Sequence, residues 1–219
     1  MNKNGENVIL ALDPSYDHLA ASLFVGNHKV YMDMCSSKLG TNIGFDKVYN
    51  ACYDLWEQLS SKLGTYLKES DAEIDYVMSE FSPPVAQFSA GLYALDVFIF
   101  SKLFETYTSI KEIYIVPSSY LMTVHGGKYK KSESTQLAKY YINEVLKDDI
   151  EIILQDNISE TGRRSKGTVN NDKAESFLFL LRAFCKWNVY GLEEKIKLEM
   201  GGLGIEAEKL LVQRYVFTK

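Results

Sequence analysis

The sequence has few cysteines, and they lack the spacings that metal-binding or redox cysteines use. Three cysteines occur in 219 residues, an odd number with no CxxC pair and no histidine pair nearby. We therefore expect reduced structural thiols in an intracellular protein. No apolar run approaches the roughly 18–20 residues of a membrane span, and the polar residues 1–7 argue against a signal peptide. These absences predict a cytoplasmic protein without a membrane anchor.

The sequence also lacks an excess of positive charge, internal repeats and low-complexity tracts. Its formal net charge is −5, which excludes a uniformly basic surface for nucleic acid, although a local basic patch can oppose the sign of the whole. The 46% hydrophobic and 24% charged residues are typical of a globular chain. The length suits one domain, which we place at residues 1–190, followed by a C-terminal appendage at residues 191–219.

Apolar runs predict strands and helices in a mixed order. A strand at the start is followed by two more, His18–Val25 and His28–Cys35, which Gly26 and Asn27 join as a hairpin. Helices and parallel strands then alternate, and two helices follow. The order is helix Phe45–Lys68, strand Ile74–Glu80, helix Ser89–Thr108, strand Glu112–Val116, helix Ser132–Leu146 and helix Asp172–Asn188. A short extended piece at Glu151–Leu154 and a polar loop at 157–170 precede the last helix. The predicted fold is α/β, a mixed five-stranded sheet with three antiparallel strands, then parallel strands, flanked by helices.

Carboxylates stand where these elements begin or end. Asp13 ends the first apolar strand just before Pro14, and Glu80 ends a later strand. Asp172 and Glu175 begin the last helix, three residues apart and therefore on one face. Each carboxylate also has an ordinary structural explanation. Asp13 can belong to a turn and Glu80 can be a solvated strand end, while the negative charges of Asp172 and Glu175 can stabilise the positive N-terminal end of the helix. The ends of neighbouring strands are only about 4.8 Å apart, so the four can also share one site.

Four carboxylates in one place repel each other unless cations lie between them. Ligation by oxygen alone favours Mg²⁺ or Mn²⁺ over Zn²⁺. Two such ions, about 4 Å apart, hydrolyse phosphodiesters when one activates water and the other stabilises the leaving oxygen. The carboxylates therefore predict a two-metal hydrolytic site.

The run of residues 9–15, Ile-Leu-Ala-Leu-Asp-Pro-Ser, together with the Glu80 strand end and Asp172-Lys-Ala-Glu175, resembles the RuvC-type Holliday-junction resolvases of the RNase H-like superfamily. Those enzymes have an Asp-Pro-Gly opening, a mid-chain Glu and a late Asp-x-x-Asp at a helix start. The resemblance spans residues 8–186, with Ser15 in place of the Gly and Glu175 in place of the last Asp. It implies an RNase H-like fold, a homodimer that nicks four-way DNA junctions in pairs, and Asp13, Glu80, Asp172 and Glu175 as catalytic metal ligands.

Two basic segments and an aromatic residue are candidates for DNA contact. Lys128, Lys130 and Lys131 form one cluster, and Arg163, Arg164 and Lys166 form another, both on predicted loops. Such short charge runs are as often merely solvated. The junction-facing aromatic residue that the resemblance implies is Phe81 or Phe88, and neither has the usual offset from the Glu.

Two other functions fit the same order of elements. One is a non-catalytic DNA-binding or scaffold protein on the same fold, which has no reason to keep four carboxylates. The other is an actin-like ATPase fragment, but the sequence lacks a second lobe and an Asp-Gly-Gly phosphate loop. We therefore expect a DNA endonuclease without a nucleotide cofactor, in a bacterial or phage-infected cell.

Overall fold

The computed structural model describes residues 7–15, 18–26, 28–37, 45–81, 89–117, 133–154, 157–158, 164–165, 169–189, 191–202 and 215–218. At its centre is strand β1 (Ile9–Pro14), which pairs antiparallel with β2 (His18–Val25) on one side. β2 in turn pairs antiparallel with β3 (Lys29–Ser36). The apolar first run is a buried central strand as predicted, because both of its faces are covered by helices.

The hairpin between β2 and β3 is one residue longer than the predicted Gly-Asn turn. The strands close at Val25 and Lys29, so His28 belongs to the connection, and its φ of 63° is in the left-handed region. A three-residue hairpin loop uses a residue of this conformation just before the second strand. Gly26 and Asn27 signal such a turn without fixing its length.

Strands β4 (Tyr76–Phe81) and β5 (Glu112–Pro117) extend the sheet on the other side of β1, both parallel to it. The five predicted strands therefore stand in the order β3-β2-β1-β4-β5. Three antiparallel strands followed by parallel ones, with helices on both faces, confirm the predicted RNase H-like fold class.

The sheet has seven strands rather than the predicted five. β6 (Glu151–Leu154) adds parallel to β3 at one edge, and β9 (Tyr215–Thr218) adds antiparallel to β5 at the other. Each is four residues long, too short for a clear periodicity. Within the predicted polar loop, β7 (Asn157–Ile158) and β8 (Arg164–Ser165) form a separate two-stranded pair.

Helices α1 (Phe45–Ser70) and α2 (Ser89–Thr106) cover one face of the sheet. α1 buries residues three to four positions apart, the spacing that predicts an amphipathic helix. The buried residues of the two helices include Leu55, Leu59, Leu63, Leu95, Ile99 and Leu103. They pack on the even-numbered residues of β1, Leu10 and Leu12.

The opposite face carries α3 (Ser134–Tyr140), α4 (Asn171–Lys186) and α5 (Leu192–Gly202). α3 continues into a π-helical turn at Tyr141–Val145, so the predicted helix Ser132–Leu146 is not one regular helix over its described part. α4 is buried on nearly all sides from Lys173 to Cys185, because it lies between the sheet and the other two helices.

Residues beyond 190 contribute to the same core. Leu192 and Ile196 of α5 pack with α4, and β9 completes the sheet. The division into residues 1–190 and 191–219 stays a prediction. None of the helices in the described part of the chain is both long and apolar enough to cross a membrane.

Candidate metal centre

Asp13 and Glu80 are brought together by the parallel pairing of β1 with β4. Leu12 stands beside Ser79 in the register, so the next residue on each strand is a carboxylate. Side chains alternate between the faces of a strand. Asp13 therefore shares the face of Ala11, and Glu80 shares the face of Met78, both of which belong to the core under α4.

The third carboxylate, Glu175, comes from the first turns of α4. Asn170 caps this helix, since its side-chain oxygen accepts a hydrogen bond of 2.9 Å from the Lys173 backbone N–H. One turn further along, the Ser176 hydroxyl shares a 2.8 Å hydrogen bond with the hydroxyl of Ser22 on β2. The cap and this buried hydrogen bond set the position of the helix end that carries Glu175 over the sheet.

Asp13, Glu80 and Glu175 form one acidic cluster. One carboxylate oxygen from each lies within 4.8 Å of the other two. Asp13 is 6% exposed and Glu175 4% exposed, while Glu80 is half-buried. Three carboxylates so close together repel each other strongly. Their donor set, all oxygen and concentrated in negative charge, fits a hard divalent cation.

Asp172 is not part of this cluster. It lies in the first turn of α4 and is half-buried. Three residues before Glu175, it is displaced along the helix axis by about 4.5 Å and around it by about 60°. Its negative charge there complements the positive N-terminal end of the helix. The structure thus brings three of the four predicted ligands together, and the ligand role of Asp172 stays a prediction.

A hydroxyl from α3 contacts the cluster. Ser134 is buried, and its Oγ donates a 3.4 Å hydrogen bond to Oε1 of Glu175. Nearby, the Thr135 hydroxyl donates a 2.7 Å hydrogen bond to Oδ1 of Asn171. These two contacts join the start of α3 to the start of α4. In the sequence, Ser134 and Thr135 are recognisable only as residues common at the start of a helix. Nothing in the sequence indicates their contacts with Glu175 and Asn171.

Lys173 and Arg182 are buried cations on α4. Lys173 is 0% exposed and Arg182 1% exposed. Lys173 adds a positive charge to the helical turn that also carries Glu175. Lys173 lies between Asp172 and Glu175 in the sequence, but from the sequence alone a lysine in a first helical turn is expected to be exposed to solvent.

Another buried carboxyl group lies close enough to Glu80 to feel its charge. Asp96 of α2 is 1% exposed. Burial, with a further contribution from the negative charge of Glu80, raises the pKa of Asp96 to about 8. Asp96 is not among the site residues predicted from the sequence. Its signal is a single acid in an otherwise apolar stretch, Leu92 to Phe100, at the helical spacing of the buried residues.

The predicted DNA-contacting side chains lie outside the part of the chain whose side chains the structure describes. Lys128, Lys130, Lys131, Arg163, Lys166 and Phe88 are outside the described residues. Arg164 is described only as a backbone position of β8, and Phe81 only as the last residue of β4, paired in register with Pro117. Their role in DNA binding stays a prediction.

No protein-family model matches the chain, and none of the curated proteins matches it. Among solved structures, it is similar to Thermus thermophilus RuvC in complex with a Holliday junction substrate, with 11% identity, a TM-score of 0.46 and coverage of 89% of this chain and 96% of that one. The yeast mitochondrial Holliday junction resolvase Ydc2 gives 10% identity and a TM-score of 0.46 over 91% and 86% of the two chains. The fowlpox virus resolvase with its Holliday junction gives 15% and 0.38 over 87% and 98%. At these values, the activity of this chain has to be argued from its own residues.

Removing one charge from the acidic cluster should stabilise the protein when no cation is present. We expect Glu175→Gln to raise the free energy of unfolding by about 1–3 kcal/mol in EDTA, because it relieves repulsion and keeps an oxygen for Ser134. In millimolar Mg²⁺ the order should reverse, since the variant loses a ligand and gains less from binding. Urea unfolding under both conditions measures this.

The control is Glu57→Gln, the same change at an exposed position in the middle of α1. It should leave the free energy of unfolding within about 0.5 kcal/mol in both conditions. Equal stability changes for Glu175→Gln with and without Mg²⁺ would contradict a cation site at this cluster.

Proposed function

We propose that this protein is a metal-dependent, structure-selective DNA endonuclease that resolves four-way junctions by paired nicks. One observation carries the proposal: β1, β4 and α4 each place one carboxylate oxygen within 4.8 Å of the others. Elements far apart in the sequence have no structural need to collect negative charge at one point. The arrangement is favourable when the charge binds a cation that in turn binds phosphate.

Asp13, Glu80 and Glu175 would hold a divalent cation, for which we propose Mg²⁺ or Mn²⁺, with two ions per site and Asp172 as a further ligand. Such ions activate water and stabilise the leaving oxygen in phosphodiester hydrolysis. The chain's own residues supply the rigid frame. Asp13 and Glu80 are fixed by the sheet register, while the Asn170 cap and the Ser22 hydroxyl hold the helix that carries Glu175.

The choice of branched DNA rests on the resemblance of the residue 9–15 run, Glu80 and Asp172-Lys-Ala-Glu175 to the RuvC-type resolvases. The basic segments at 128–131 and 163–166 would then contact phosphates. The cytoplasmic setting expected from the sequence is also part of the proposal.

Replacing Asp13 should separate cutting from binding. We expect Asp13→Asn to lower the rate of cutting of a synthetic four-way junction in Mg²⁺ by at least about a hundredfold, because a ligand charge is lost at nearly constant shape. Junction binding, measured in Ca²⁺ or EDTA by gel shift, should change less than about threefold. Asp75→Asn is the matched control, a buried carboxylate at the opposite end of the strands, and should still cut.

A scaffold protein on this fold would give a different pattern. It would bind junction DNA without cutting it in the wild type, and calorimetry would find no binding of Mn²⁺. Full cutting by Asp13→Asn would also contradict the nuclease assignment.

Paired nicks need two active sites, and the outer face of α1 and α2 offers a surface for a second copy of the chain. Tyr49, Tyr53, Tyr93 and Val97 are 49%, 37%, 43% and 46% exposed. The Tyr53 ring lies 4.8 Å from that of Tyr49 and 4.9 Å from that of Phe98, measured between ring centroids. An exposed aromatic patch of this kind is typical of an interface between protein chains. We place the proposed homodimer contact there.

A charge at an exposed apolar position of this patch should break the proposed dimer. We expect Val97→Lys to shift the protein from dimer to monomer in analytical ultracentrifugation, because the lysine would lose its hydration in the interface. Junctions should then be nicked once rather than on both strands. Leu198→Lys, at an 81% exposed position of α5 on the other face, should stay dimeric. A monomeric wild type would contradict the proposed dimer.

A further inference from the structure

The first residue of α3 directs its side chain to another helix. Ser134 follows Glu133, which stands at the capping position and makes no capping hydrogen bond through its side chain. A serine at a helix start ordinarily serves the backbone of its own helix. Here the Ser134 hydroxyl donates a hydrogen bond to Oε1 of Glu175, and Ser134 is 0% exposed. The contact therefore ties α3 to a member of the acidic cluster.

Packing and a second polar contact hold α3 on α4 independently of this hydroxyl. Ala138, one turn after Ser134 on the same side of the helix, is fully buried in the core that α4 shares. The Thr135 hydroxyl lies 2.7 Å from Oδ1 of Asn171 and joins the two helix starts. The position of α3 therefore does not depend on the Ser134 hydroxyl, whose direct effect is on Glu175.

Glu175 reaches the cluster through a longer side chain than an aspartate has. Its additional methylene adds a rotatable bond, so the helix alone does not fix the orientation of its carboxylate. Asp13, by contrast, has a shorter side chain and stands on the central strand β1. A hydrogen bond to one particular oxygen of Glu175 restricts this additional freedom.

The contact between Ser134 and Glu175 is long, but its surroundings strengthen it. Its 3.4 Å exceeds the roughly 2.7–2.8 Å that is typical between a hydroxyl and an oxygen acceptor. Both residues are buried, Glu175 being 4% exposed, so water competes little for either group. An ionised carboxylate also accepts a stronger hydrogen bond than a neutral oxygen does. The hydroxyl thus favours one orientation of the Glu175 carboxylate.

We propose that Ser134 is a positioning residue for Glu175 that biases the cation site toward Mg²⁺ and away from Ca²⁺. It holds Oε1 and leaves Oε2 as the oxygen that Glu175 offers to the cation. This inference rests on the proposed function of the acidic cluster as a cation site. Ser134 acts through Glu175 and does not itself bind the cation.

The selectivity follows from the different ways in which the two cations use a carboxylate. Mg²⁺ is small, demands nearly octahedral geometry and keeps several of its waters, so one oxygen of a carboxylate suits it. Ca²⁺ accepts about six to eight oxygens in a flexible geometry and often takes both oxygens of a glutamate. Turning both oxygens of Glu175 to one ion would weaken the contact with Ser134. The hydrogen bond therefore disfavours the bidentate binding that benefits Ca²⁺.

The cation affinities of the full chain test this inference. Titration calorimetry with MgCl₂ and, separately, with CaCl₂ gives the ratio of the dissociation constant for Ca²⁺ to that for Mg²⁺. We expect Ser134→Ala to lower this ratio about tenfold, the effect that one hydrogen bond to a charged group supports. The variant should fold, because alanine is smaller than serine and Ala138 is already accepted on this side of α3.

The matched control is Thr135→Val, which removes the neighbouring hydroxyl and its contact with Asn171 but leaves Glu175 untouched. Its ratio should stay within about twofold of the wild type. A second comparison uses Glu175→Asp, which shortens the side chain by one methylene and withdraws the carboxylate from Ser134. Adding Ser134→Ala to Glu175→Asp should change the ratio by less than about twofold, because the two residues no longer interact.

The outcomes separate this inference from the function on which it depends. If the wild type binds neither Mg²⁺ nor Ca²⁺, the proposed cation site is wrong, and the inference is lost with it. If the wild type binds cations but Ser134→Ala leaves the ratio unchanged, or weakens the binding of both cations by the same factor, the cation site stands and the selective role of Ser134 is wrong.

Discussion

The parallel pairing of β1 with β4 is the constraint on which the site depends. Because Leu12 pairs with Ser79, Asp13 and Glu80 lie at the same end of two neighbouring inner strands. The alternation of side chains along each strand puts both on the face that α4 covers. A shift of the register by one residue would send Glu80 to the opposite face. The apolar residues that specify this register, such as Ala11 and Met78 on one face and Leu12 and Val77 on the other, therefore also specify the cluster.

The cluster stands out against the way this protein otherwise handles buried charge. Asp33 and Asp75 are each held by a lysine and a second donor, which is the stabilising arrangement for a carboxylate in a core. In Asp13, Glu80 and Glu175, by contrast, three carboxylates are gathered at one point, with one oxygen of each within 4.8 Å of the other two. Local departures from stabilising chemistry occur at functional sites, where the rest of the fold compensates for them. Here the hydrophobic cores on the two faces of the sheet offset the repulsion within the cluster.

Much of this arrangement could be predicted from the sequence because it depends on short-range patterns. The five central strands follow from apolar runs, and Asp13 and Glu80 follow from the places where two of those runs end. The helix start at Asp172 and Glu175 was also visible, but the spacing alone does not say how far each reaches over the sheet. Asp172 stays in the first turn of α4, while Glu175 enters the cluster.

The features that were missed depend on contacts between distant segments. The extended piece at Glu151–Leu154 was predicted, but its place as edge strand β6 was not, and β9 was missed altogether; the pairing of both four-residue strands is decided by the sheet they join. Ser134 meets Glu175 only because α3 packs on α4. Asp96 reads as an ordinary helical acid until the packing of α2 on α1 and β1 shows that it is buried.

The most direct test of the central claim is a crystal of the protein soaked in Mn²⁺, with the ion located by its anomalous scattering. We predict a Mn²⁺ ion within bonding distance of one oxygen each of Asp13, Glu80 and Glu175. A saturating soak that leaves no peak between these three side chains, or that places the ion on other residues, would contradict it.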